Sequence, residues 1–151
     1  MINSHKEFVG EVKNFTDKME LITGFQYIKD LDSTLEMLEN SEPRILFLGL
    51  IDMSMGDDYN MVLNYNFAIS DEVLNDDDAI LNSETENMFI ISALHDYLNY
   101  IKNTEFDFSN VSFDSKVDGE NAYTAVAGTF TFTIKRSASY WKQMEAYSTT
   151  D

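Results

Sequence analysis

Near the start of the chain, apolar positions fall three and four residues apart: Phe8, Val12, Phe15 and Met19 share one stripe. Ser4-His5-Lys6-Glu7 precedes it and has the form of a capping box, in which the Ser hydroxyl and the Glu carboxylate satisfy opposite backbone donors. The pattern predicts an amphipathic helix over residues 4–18. Leu21 to Ile28 then reads as a short strand, its alternation blurred by Gly24. Asp32 caps a brief helical stretch carrying Leu35 and Leu38. That stretch stops before Pro43, because the residue ahead of a proline is pushed out of helical geometry.

Ile45-Leu46-Phe47-Leu48-Gly49-Leu50-Ile51 is apolar on both alternating faces, the pattern of a strand covered on each side. Met61, Leu63, Tyr65, Phe67 and Ile69 alternate with Val62, Asn64, Asn66 and Ala68, giving a second strand with one wetter face. Between them Asp52 to Asn60 forms a hairpin loop longer than the usual ~2–5 residues. An acidic loop follows with Asp76-Asp77-Asp78. Ser83-Glu84-Thr85-Glu86 is a second capping box. From there Met88, Ile91, Leu94, Leu98 and Ile101 run as a regular stripe to about Lys102. Phe106, Phe108, Val111 and Phe113 alternate but change phase near Ser109-Asn110, so a bulge or two short strands is expected. Asp118-Gly119 signals a turn into a long strand with Val126, Phe130, Phe132 and Ile134 on one face.

This order predicts an α+β fold: an antiparallel sheet of hairpins with an amino-terminal helix and one long helix packed on a face. Residues 1–136 form one domain in this reading. Residues 137–151 are an aromatic carboxy-terminal extension.

Composition narrows the function. The 151 residues carry 27 Asp and Glu against 10 Lys and Arg, for a net charge of −17, and no Cys. A chain of this length buries roughly 70% of its unfolded surface, and 44% hydrophobic residues supply a core. Without Cys there is no disulfide framework or thiolate chemistry, which fits a reducing compartment. No apolar run approaches the ~20 residues of a membrane helix, and no signal peptide opens the chain, so no membrane association is expected. The charge argues against gripping DNA, RNA or anionic lipid, since phosphate neutralisation needs Lys and Arg. It is also concentrated: no Lys or Arg lies between Arg44 and Lys102, whereas Asp52, Asp57, Asp58, Asp71, Glu72, Asp76, Asp77, Asp78, Glu84, Glu86 and Asp96 do.

Candidate chemistry is sparse. No Ser stands in a nucleophile elbow. The histidines are His5, in the first helical turn, and His95, at the edge of the long helix's apolar stripe beside Asp96. A structural imidazole is the expectation for His95, with acid–base work the alternative. Asp76-Asp77-Asp78 lacks the alternating donors and mid-loop Gly of a calcium loop, with Ile80 where a ligand would stand. Asp52, Asp57 and Asp58 would gather a hard cation only if their loop folded back, so solvated acidic loops are expected at both places. No catalytic residue, metal site or cofactor is assigned. Two features instead suggest protein contacts: Met53, Met55 and Tyr59 near the tip of the long hairpin, and Tyr140, Trp141 and Tyr147 beyond the last strand.

The central strand Ile45 to Asp52, its return strand ending near Asp71, the helix Met88 to Ile101, the Asp118-Gly119 turn and the strand Ala125 to Ile134 together form a familiar string. It resembles the tail-terminator, tail-completion and head–tail joining proteins of tailed bacteriophages. The likeness covers most of residues 4–136, through element order and texture rather than an invariant motif, and does not reach the extension after Arg136. It implies a structural virion protein without catalytic residues. Such a protein forms a homo-oligomeric ring, hexameric or dodecameric, against neighbouring neck or tail proteins, with DNA passing through unbound. An acidic lining would repel passing phosphates, whereas the same acids facing outward would attract a basic partner. The competing readings are an acidic DNA-mimic inhibitor of a DNA-processing enzyme and a small α+β enzyme.

Overall fold

Ser4 opens the first helix as expected: its hydroxyl accepts the Glu7 N–H at 3.1 Å, while the Glu7 carboxylate accepts the N–H of Asn3 at 2.9 Å. The computed structural model describes residues 2–29, 44–56, 60–135 and 144. Helix α1 spans His5–Lys18, strand β1 Gly24–Tyr27, β2 Ile45–Met55 and β3 Met61–Leu74. Helix α2 spans Asp77–Asp96 and runs on through a π turn, Tyr97–Ile101; β4, Glu105–Asp118, and β5, Asn121–Ile134, complete the set. The brief helix expected from Asp32 to Pro43 lies outside the described residues.

The fold is α+β: a five-stranded sheet in the order β1-β2-β3-β5-β4 with both helices on one face. Alternation along β3 and β5 explains the layering. Leu63, Tyr65, Phe67 and Ile69, with Val126, Phe130, Phe132 and Ile134, point to the helices and are buried. Phe8 of α1 stacks on Phe132 at 4.4 Å, and Ile90, Ile91 and Leu94 of α2 join the same core. On the other face Phe47 and Ala68 are buried against Ile28, Ile45 and Ala127, so the first half of β2 is covered on both sides as expected.

Three features differ from the sequence expectation. The sheet is mixed, because β1 pairs with β2 in parallel, Gly24 opposite Ile45 through Tyr27 opposite Leu48. Helix α2 begins not at Ser83 but at Asp77, with Asp76 as its N-cap accepting the Ala79 N–H at 3.3 Å. The supposed acidic loop is thus a helix start, where carboxylates meet the positive end of the helix dipole. Finally, β2 and β3 run on to Met55 and from Met61, so Met53 and Met55 lie on a strand rather than in a loop.

The β4 bulge falls where the phase changes, with the register slipping between Phe108 and Asn110. Gly128 sits opposite it, and a Cβ there would collide with the Asn110 carbonyl. Gly119 makes the β4–β5 turn at φ 65°, a left-handed conformation that suits glycine.

Candidate functional site

Strand β1 ends opposite Leu48, so beyond it the outer half of β2 is an edge of the sheet, while β3 beside it stays paired with β5 as far as Met61. Burial along β2 changes abruptly: Leu46 to Gly49 are buried, while every residue from Leu50 to Met55 is exposed. A bulge at Ile51 separates the two halves, with Leu50 opposite Tyr65 and Asp52 opposite Asn64. Asp52 accepts a hydrogen bond from the Asn64 side chain on the far face of the sheet. Met53 and Met55, paired with Leu63 and Met61, lie on the helix-bearing face, 53% and 49% exposed. With Leu50 and Ile51, 37% and 46% exposed, they give this edge of the β2–β3 arm an apolar surface. Tyr59, Tyr140, Trp141 and Tyr147, the remaining expected contact residues, lie outside the described residues.

Beside the arm, His5 bridges two strands. One ring nitrogen meets the Tyr65 hydroxyl at 2.8 Å and the other the Tyr27 hydroxyl at 3.2 Å. Burial lowers the imidazole's pKa from its ordinary value, and the buried Tyr65 phenol is pushed far up for the same reason. The two hydrogen bonds hold α1 against β1 and β3.

His95 is similarly braced. The Asn99 amide lies 3.1 Å from Nε2 and also donates to the Phe106 carbonyl, while its oxygen accepts the Phe106 N–H. The imidazole stacks on Phe108 at 6.2 Å and borders a shallow cavity of about 270 Å³ with Ile91, Ser92 and Asp96. Its surroundings are those of a packing residue that ties α2 to β4.

The acidic block has an internal structure that spacing did not reveal. Arg44, at the edge of the block in sequence, is buried within it. Its guanidinium pairs with Asp71 at 3.0 Å and with Glu86, and touches the Ser83 carbonyl. The Ser83 hydroxyl donates to Asp71 at 2.7 Å and bonds Thr124, which also receives the Asn87 amide at 3.0 Å. Ser83 is therefore a buried link between α2 and the sheet, not a helix cap. Of the other described acids in the block, Asp52, Glu72, Asp76 to Asp78 and Asp96 are exposed and Glu84 is half-buried.

At the other end of the helices Glu11 accepts from Lys102 at 3.1 Å and from the Tyr97 hydroxyl at 3.0 Å. Burial opposes the charge on Glu11, but these donors hold its carboxyl below the usual value. Among the described residues no group of three or more His, Asp or Glu is placed to hold a metal ion. No described helix is long and apolar enough to cross a membrane. No protein-family model and no curated protein matches the chain.

Proposed function

We propose that the chain is a structural subunit of a tailed-phage neck or tail-top ring, a tail terminator or head–tail connector located in the virion. The observation that carries this reading is the outer half of β2, a sheet edge with Leu50, Ile51, Met53 and Met55 exposed. Four large apolar side chains on one edge strand are costly to leave in water, and Met adapts to an irregular partner surface. In a closed ring each subunit offers one surface to the copy ahead and a different one to the copy behind. An exposed apolar sheet edge suits such a contact. The resemblance in element order to neck and tail-completion proteins points the same way. With a net charge of −17, the ring repels the phosphates of the DNA that threads it, so the duplex slides without being held.

The test replaces Met53, Met55 and Trp141 with Ser. Native mass measurement is expected to show loss of the ring, with circular dichroism and melting of the monomer unchanged. Assembly of the variant at wild-type strength overturns the assignment of these contacts.

A further inference from the structure

A surface helix normally shows one apolar stripe and one charged face. Helix α2 departs from this. Its inner side buries Ile90, Ile91 and Leu94, yet its outer side carries Leu81, Met88 and Phe89, which are 59%, 50% and 64% exposed. These positions are spaced i, i+7 and i+8, so they form one outward stripe, with Thr85 and Ser92 filling its gaps. Tyr100, 78% exposed, extends the aromatic surface past the π turn. No described residue covers this stripe. It is separate from the β2–β3 arm, and the ring reading makes no use of it.

Charge identifies what fits there. Helix α2 carries Asp77, Asp78, Glu84, Glu86 and Asp96 and no Lys or Arg, whereas the acids of β4 lie on the sheet face away from the helices. Only Glu86 among these acids is taken up by Arg44. A second copy laid on this face brings the same acids against them, and a nucleic acid brings phosphates. Strand addition along β4 is also obstructed. The bulge at Ser109 distorts the edge, Asn99 caps both backbone groups of Phe106, and Asp114 takes the Ser115 N–H.

We propose that the outer face of α2 is a docking surface for a basic amphipathic helix of a different protein. The partner's apolar stripe packs on Leu81, Met88 and Phe89, and flanking Lys and Arg meet Asp77, Asp78, Glu84 and Asp96 of α2. Steering by the acidic field speeds encounter, and the apolar stripe sets the register.

The experiment titrates the full chain with three synthetic 18-residue peptides at near-physiological salt. One has a Leu and Phe stripe at helical spacing on a Lys- and Arg-rich background, one is its scramble, and one has Glu for every cation. The striped basic peptide is expected to bind at least about tenfold more tightly than either control. Phe89→Ser and Leu81→Ser, both at exposed positions, are expected to weaken it by a similar factor while melting as the wild type does. Equal binding of the scramble, or no effect of either substitution, reduces the contact to bulk charge and overturns the proposal. Loss of self-association in Phe89→Ser also overturns it, because a second copy then occupies the face. These outcomes are independent of Met53 and Met55, so the ring reading and this one fail separately.

Discussion

Arg44 is buried and joins the sheet to α2 through two carboxylates and a backbone carbonyl. It adopts a left-handed backbone at φ 58°, unusual outside glycine, and buries a guanidinium between two carboxylates. Removing one member of a buried ion pair strands the other, so Arg44→Met is expected to cost about 3 kcal/mol in urea unfolding. Adding Asp71→Asn to that variant is expected to recover part of the loss, because the stranded charge is gone. Gly128→Ala is expected to destabilise by about 1–3 kcal/mol, since the new methyl meets the Asn110 carbonyl at the bulge. His5 gives a pH signature. Its folded pKa lies below the ordinary 6.5, so the unfolded chain binds the proton more readily, and stability falls as pH drops from 7 through that range. Unfolding measured at about pH 7 and about pH 5.5 is expected to show a smaller loss in His5→Gln than in the wild type.

At the scale of elements, local rules located some structures and misread others for a definable reason. The Ser4 cap, the β4 bulge and the Asp118-Gly119 turn depend on neighbouring residues, and all three stand where the spacing puts them. Ser83-Glu84-Thr85-Glu86 satisfies the same local rule as Ser4 to Glu7, yet its hydroxyl serves Asp71 and Thr124, distant partners that spacing cannot show. The parallel pairing of β1 and the burial of Arg44 are likewise long-range. Asp76, a cap, and Ser83, a buried link, therefore separate experimentally. Asp76→Ala is expected to cost about 1 kcal/mol, the worth of a helix cap. Ser83→Ala is expected to cost about 1–3 kcal/mol by stripping hydrogen bonds from a buried network, with chemical denaturation as the check in both cases. The exposure of Met53 and Met55 is legible because apolar side chains stand among polar residues there. The outer stripe of α2 is not, since Met88 falls at helical spacing with Ile91, Leu94 and Leu98, which turn inward.

For the whole molecule, charge and apolar surface bear on different questions. The excess of 27 acids over 10 bases makes the folded chain repel itself, so raising salt from about 0.02 to about 0.5 M is expected to raise the denaturation midpoint. The acids do not form one uniform face: Asp71 and Glu86 neutralise Arg44, while Asp76 to Asp78 stabilise a helix start. Among the described residues, the outer half of β2 and the outer side of α2 interrupt the acidic surface with apolar side chains. We propose the first as a contact between copies and the second as a contact with a basic partner. The most direct test of the central claim is the native mass of the purified wild-type chain over a range of concentrations and salt. A closed ring of six to twelve copies with one fixed number is the predicted result. A monomer throughout that range, alone and after addition of neck or tail proteins, would contradict it.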